Sequence, residues 1–236
     1  MVKKIKKKGD KMHFTKDANL VDFVGSHKRP AFITIIPTFG MVPIEFHTAS
    51  LRLATPTNAK SQVFTIRGEE IGKARNFAVH HLLSGDFLPE FFFFFGDDII
   101  PEWDSLLRLY DEAVGGKWDV LGALYHLKRE GTPTPILWRD ELSGPLVPHV
   151  HFEPGEVVWS DIVGMDFTLI RPEIFRGLSE PYFLTGPRRD EASGSIEVFT
   201  EDAYFCQKAK IEKGAKMGVH TGIRVAHMDI STGEIY

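Results

Sequence analysis

The segment FFFFFGDDII, Phe91 to Ile100, sets two adjacent carboxylates close behind five phenylalanines. An aromatic run of this kind belongs in the interior, and a pair of unpartnered carboxylates does not. Either the run ends at the surface and Asp97 and Asp98 meet solvent, or the pair faces a cation. A second acidic pair, Glu201 and Asp202, follows Thr200 at the start of TEDAYFCQKAKIEKG. Thr is a good helix cap, and carboxylates in a first turn meet the positive end of the helix dipole, which keeps them ionised. The HVH triplet aims His149 and His151 to one side of an extended chain. It lacks further obvious ligands, so it does not make a zinc site. Cys206 falls inside the helix that Thr200 opens, which makes it a buried thiol rather than a nucleophile.

The elements that would position these groups follow from the pattern of apolar residues. AFITIIPTFG (Ala31–Gly40) predicts a buried strand ended by Pro and Gly, and SQVFTI (Ser61–Ile66) a second strand. Helices are expected over Val42–Ala54 and Glu70–Gly85. FFFFF (Phe91–Phe95) is a third strand. A helix follows it, with Pro101 in its first turn and a Gly pair at its end. DVLGALY (Asp119–Tyr125) is a fourth strand. A near-continuous apolar strand must be covered on both faces, as parallel strands are, and strands alternating with helices argue for βαβ units. The fold class is therefore α/β with a mainly parallel central sheet. Gly96 then turns the chain so that Asp97 and Asp98 stand at a strand's carboxyl end, where open α/β sheets bind ligands.

After Tyr125 the sequence becomes rich in Pro and Gly, consistent with a hairpin or loop region. Val157–Phe175 predicts one or two strands and a short helix begun at Pro172. Gly186–Glu197 is polar and Gly-containing, the composition of a mobile loop. Thr200–Gly214 is a helix, and Ala215–Asp229 two short strands.

The chain has 236 residues, 43% hydrophobic and 25% charged, with a net charge of −4. This suits one domain with a substantial core and carries no global nucleic-acid signature. Residues 1–28 form a basic tail. Its block VKKIKKKGDK is a solvated segment or an arm for an anionic surface. One cysteine excludes an intrachain disulfide and a cysteine-rich zinc cluster. No apolar run is long enough to span a bilayer and no secretory signal is visible. The expected location is cytoplasmic, in a viral or host cytoplasm if the gene is viral.

ITIIPTFG, IGKARNFAVHHLLSG, FFFFFGDDIIPEWDSLL, VGMDFTLIRPEIF, TEDAYFCQKAKIEKGAKM and TGIRVAHMD occur in an order that resembles the nucleotide-sugar-dependent glycosyltransferases of the GT-A fold. The family-2 type and the small enzymes of phage and viral genomes are the most similar. The resemblance implies a single Rossmann-like domain over residues 29–236, with a nucleotide-binding half (29–125) and an acceptor and metal half (126–236). It also implies a divalent metal, Mn²⁺ or Mg²⁺, that holds the diphosphate of a UDP- or GDP-sugar. In that family an Asp-x-Asp motif binds the metal. Aligned on Pro101, Gly96 stands where the family has its first Asp, Asp97 is the middle position, and Asp98 is the last, which touches the metal. Asp97 is a candidate to compensate for Gly96. His227 matches a His that completes the metal site, and an imidazole with carboxylates and phosphate oxygens suits Mn²⁺ better than Mg²⁺. Asp202 matches the general base of inverting members, with Glu201 as the alternative base or a hydrogen-bond partner of the acceptor.

The remaining correspondences concern the donor. Pro37 and Thr38 would line the base and ribose. Arg75 and Asn76 would face the nucleotide, with Arg75 on phosphate. Arg67 stands where relatives carry an acidic residue that reads the base, which leaves the base preference open. Asp166 stands where relatives have a second Gly, so it contacts a sugar hydroxyl or fills a turn. The acceptor would be a hydroxyl on a glycan, a protein or a nucleic acid. Two rivals remain at this stage. A sugar-nucleotide nucleotidyltransferase would carry a Gly-rich basic loop after the first strand, and PTFGMVP has no Lys or Arg. A catalytically silent binding or structural protein of the same fold would explain Gly96.

Overall fold

A computed structural model describes residues 29–57, 59–85, 88–127, 134–140, 146–189 and 196–236. The basic tail lies outside the described residues. The first half of the chain gives β1 (Arg29–Thr38), α1 (Ile44–Arg52), β2 (Ala59–Arg67), α2 (Ile71–Leu83), β3 (Phe91–Phe95), β4 (Ile99–Pro101), α3 (Ser105–Val114) and β5 (Val120–Leu124). The second half gives β6 (Leu137–Asp140), β7 (Leu146–Pro148), β8 (Val157–Trp159), β9 (Ile162–Val163), β10 (Phe167–Ile170), β11 (Gly186–Arg189), β12 (Ile196–Phe199), α4 (Glu201–Lys213) and β13 (Met217–His227).

The main sheet runs in the order β2-β1-β3-β10-β5-β13-β4, with β8 also on β13. β2, β1, β3, β5 and β13 share one direction, while β10, β4 and β8 run against it. The sheet is thus mostly parallel, as the alternation of elements implies. Two strands from the second half, β10 and β13, complete a sheet begun by the first half.

The phenylalanine run explains the two-sided core. Phe91, Phe93 and Phe95 face α1 and α3, among Phe32, Phe46, Leu106, Leu109 and Tyr110. Phe92 and Phe94 face α2 and α4, among Ala78, Val79, Phe175, Phe183 and Phe205. Alternate side chains of a strand point to opposite faces, so a strand sandwiched between helix layers must be apolar at every position. All five are buried, and each contributes about 1.5–3 kcal/mol by leaving water.

The helices end as their sequences dictate. Glu70 caps α2 by accepting from the Gly72 and Lys73 amides at 3.1 and 3.0 Å. Thr200 caps α4, and Gly214 closes it in the left-handed region at φ 61°.

Three expectations change and one is extended. Pro101 does not start a helix. Ile99–Pro101 pairs antiparallel with Val225–His227, and α3 begins at Ser105. Pro is tolerated there because β4 is an edge strand, where a missing N–H costs no ladder bond. The predicted pair of terminal strands is one strand, β13, with a register shift between His220 and Arg224. After Tyr125, where the chain is described, the expected hairpin is present as the antiparallel pair β6–β7, and β9 adds a third strand. The predicted loop at 186–197 begins and ends as the antiparallel pair β11–β12, and its residues 190–195 lie outside the described ones. Cross-strand pairing of Gly186 with Phe199 and Val198 with Pro187 overrides the polar composition.

Candidate functional site

The carboxyl ends of β1, β3 and β13 converge, and β10, running the other way, begins beside the end of β3. This geometry gathers residues from three separate stretches. Asp98 lies just past β3, Asp166 just before β10 and His227 ends β13. One ligand atom from each lies within 4.8 Å of the other two. His227 Nε2 is 3.5 Å from Asp98 Oδ2. On the other side of the ring, Nδ1 is 2.8 Å from the His126 carbonyl oxygen. A carbonyl only accepts, so Nδ1 donates to it, and Nε2 is the ring nitrogen that faces Asp98. The Tyr125 ring packs edge-on to the imidazole at 5.2 Å.

Asp97, expected to share the cation, stands apart from this set. Its carboxylate accepts from the Thr38 hydroxyl, and burial, aided by the nearby Asp98 and Asp166 charges, raises its proton affinity despite that bond. Thr38 also accepts from the Gly40 amide at 3.0 Å. Pro37 is buried within β1, so it presents little surface to a ligand. Arg67 is exposed and lies across Gly40. A Cβ at Gly40 would sit 2.3 Å from Arg67 Nε, and Gly40 has φ +112°. Thr38 thus links Asp97 to Gly40, over which Arg67 lies.

Arg75 is not available to a phosphate. It is 1% exposed, and its terminal nitrogens are taken by carboxylates. Nη1 donates to Glu201 Oε1 and to Asp202 Oδ1 at 2.7 Å each, and Nη2 to Asp166 Oδ1 at 2.6 Å. Asn76 does not face a nucleotide either. Its amide donates to the Phe183 carbonyl at 2.6 Å and accepts from the Tyr182 and Phe183 amides at 2.9 and 3.0 Å. It pins that turn against α2. Both residues look outward in a linear sequence, and each is drawn inward by partners more than 90 positions away.

The acidic pair at the start of α4 divides into unequal members. Asp202 accepts from the Met165 amide at 3.2 Å as well as from Arg75. Burial raises its pKa to about 8, with the Glu201 and Asp166 charges adding to the effect and Arg75 opposing it. For Glu201, burial acts in the same upward direction. The Arg75 charge and bonds from Asp202, its own backbone and Thr185 outweigh it and hold the pKa below the ordinary value. Thr185 Oγ1 donates to Glu201 Oε2 at 3.1 Å. The pair thus holds a proton on Asp202 near neutral pH while Glu201 stays ionised.

The sequence missed Tyr125. Its hydroxyl donates to Asp166 Oδ2 at 3.2 Å and accepts from the Asp166 amide at 3.1 Å. Gly164 makes the room, since a Cβ there would lie 2.1 Å from the Tyr125 oxygen. The Gly of VGMD and the Tyr that ends the fourth strand are the signals that point to this contact. Cys206 is buried and only bonds the Val163 backbone, and burial pushes its thiol pKa up. It is no nucleophile.

No protein-family model matches the sequence, and no curated protein matches it. Solved structures do match. A197 from STIV is similar over 87% of this chain and 92% of its own length, with a TM-score of 0.57 and 16% identity. GalNAc-T7, solved with UDP, GalNAc and Mn²⁺, is similar over 86% of this chain, with a TM-score of 0.56 and 12% identity. This chain spans 45% of that protein. The architecture is a GT-A glycosyltransferase-like fold.

Proposed function

We propose that the protein is a metal-dependent glycosyltransferase that moves a sugar from a UDP- or GDP-sugar to an acceptor hydroxyl, with inversion at the anomeric carbon. One observation carries this reading: a cation-ready group and a proton-accepting group stand on either side of Arg75, at the carboxyl ends of the strands. The neighbour solved with UDP and Mn²⁺ supports the same class of donor.

The residues fit a divalent cation. Even with a proton on Asp202, Arg75 is one positive charge against the carboxylates of Asp166 and Glu201, and Asp98 adds another beside His227. This excess of buried and half-buried negative charge is unfavourable without a further cation. His227 Nε2 faces the Asp98 carboxylate, and as a neutral imidazole it would offer its lone pair to the ion. Asp98 and His227 would hold the ion. Mn²⁺ suits one imidazole with oxygens better than Mg²⁺ does. When bound, the cation supplies charge neutralisation for the diphosphate of the donor and its departing nucleotide.

The chain's own residues do the rest. Thr38, Asp97 and Arg67 border the place for the nucleoside, and Asp97 offers an acceptor to a ribose hydroxyl. Asp202 serves as general base for the acceptor hydroxyl in its ionised form, which a cation held beside Asp166 would favour, and its raised proton affinity makes that form the stronger base. Glu201, ionised and steadied by Thr185, orients that hydroxyl. Arg75 keeps both carboxylates in register with the cation ligands, so donor and acceptor meet in a fixed geometry.

One feature favours a second reading, a silent binding protein: both carboxylates of the base pair are bonded to a buried guanidinium. Incubation of UDP- and GDP-sugars with Mn²⁺ separates the two. A transferase shows slow donor hydrolysis that Asp202→Asn abolishes, and a silent module shows none.

A further inference from the structure

Gly96 and Asp166 look like two separate departures from a pattern, but in three dimensions they are one. β10 runs antiparallel to β3 with Phe167 opposite Phe95, and the Gly96 amide donates to the Asp166 carbonyl at 2.8 Å. A Cβ on residue 96 would lie 2.8 Å from the Asp166 Cβ and 2.9 Å from its carboxyl carbon and Oδ1. The rung has room for one side chain. A group on residue 96 would enter the space that the Asp166 carboxylate fills.

That carboxylate is held for a purpose beyond pairing Arg75. Glu201 and Asp202 already engage the guanidinium at 2.7 Å, so a third carboxylate on it only deepens the negative excess. Arg75 and Tyr125 each bond one oxygen of Asp166. Each carboxylate oxygen keeps further acceptor capacity, and one of them lies within 4.8 Å of the ligand atoms of Asp98 and His227.

We infer that Asp166 is a direct ligand of the cation, filling a carboxylate position that either strand of this rung, but not both, can supply. This inference rests on the reading of Asp98 and His227 as a cation site. It assigns the site a third protein ligand delivered from β10 instead of β3, with Arg75 and Tyr125 as the residues that aim it.

The test is Mn²⁺ binding, read by the loss of the free-ion electron paramagnetic resonance signal, in the full chain without nucleotide. Asp166→Asn keeps the shape of the side chain and one of its two acceptor oxygens, and circular dichroism monitors its folding. Asp166→Gly and Asp166→Asn are expected to weaken Mn²⁺ binding by about tenfold or more, and the exchange Gly96→Asp with Asp166→Gly to restore it to within about threefold of the original. Gly96→Asp alone is expected to lower the melting temperature because two side chains then share one space. Folded Asp166 variants that bind Mn²⁺ as well as the original protein would overturn the inference while leaving the cation site standing. So would an exchange variant no better than Asp166→Gly. An original protein that binds no Mn²⁺ would remove both.

Discussion

Replacing Arg75 by Met would leave Asp166, Glu201 and Asp202 around a buried space with no counter-charge. Removing one partner of a buried ion pair costs about 3–5 kcal/mol, so Arg75→Met should lower stability by at least that much in urea unfolding. Arg75→Lys should rescue little, since an ammonium cannot reproduce the two-pronged contact. Asp202 permits a test through pH. Its folded pKa, about 8, lies above the ordinary value of 3.8, so between those values the folded protein holds a proton that the unfolded chain has lost. Stability from this group is present at low pH and falls as pH rises toward 8. Asp202→Asn removes that dependence. With chelator present, the melting temperature of the variant relative to the original should climb between pH 5 and pH 8.5, and a constant difference would show that Asp202 is ionised throughout. At this scale the sequence told half the story. The acidic pairs were legible because a strand end and a helix start are local signals. The roles of Arg75, Asn76 and Tyr125 were not, because each is decided by partners tens of residues away.

The glycines show how elements are fitted around these residues. Gly164 and Gly122 stand where neighbouring chains press close: a Cβ would lie 2.1 Å from the Tyr125 oxygen in one case and 2.5 Å from Val163 Cγ1 in the other. Gly164→Ala should therefore destabilise by about 1–3 kcal/mol through overpacking. It should also disturb the Tyr125–Asp166 bond, which ultraviolet absorbance of the tyrosine on alkaline titration would report. Phe94→Ala, in the middle of β3, should cost about 3–5 kcal/mol by leaving a cavity between the sheet and α4. Strand and helix identity could be read from period, since alternation and helical spacing are properties of the sequence itself. Strand direction could not. Nothing within FTLI says that β10 runs against its neighbours, yet that reversal is what brings Asp166 beside the end of β3. Pro101 misled for a similar reason, because a proline suits both a first helical turn and a sheet edge, and only the pairing with β13 decides.

The whole molecule carries a net charge of −4, and the described site adds carboxylates where a diphosphate would have to come. A dianion does not approach such a place unaided, so the proposed function stands or falls with the cation. Among the described residues no helix is long and apolar enough to cross a membrane. The overall architecture was legible because alternating elements and a two-sided apolar strand leave few alternatives. The most direct measurement is calorimetric titration of UDP and of GDP into the protein with Mn²⁺ and with chelator, repeated for Asp98→Ala and His227→Ala. The account predicts that one nucleotide binds only with Mn²⁺, raising stability by about 2.7 kcal/mol at a hundred times its Kd, and that both variants lose this binding while remaining folded. Equal nucleotide binding with Mn²⁺ and with chelator, or full binding by either variant, would contradict it.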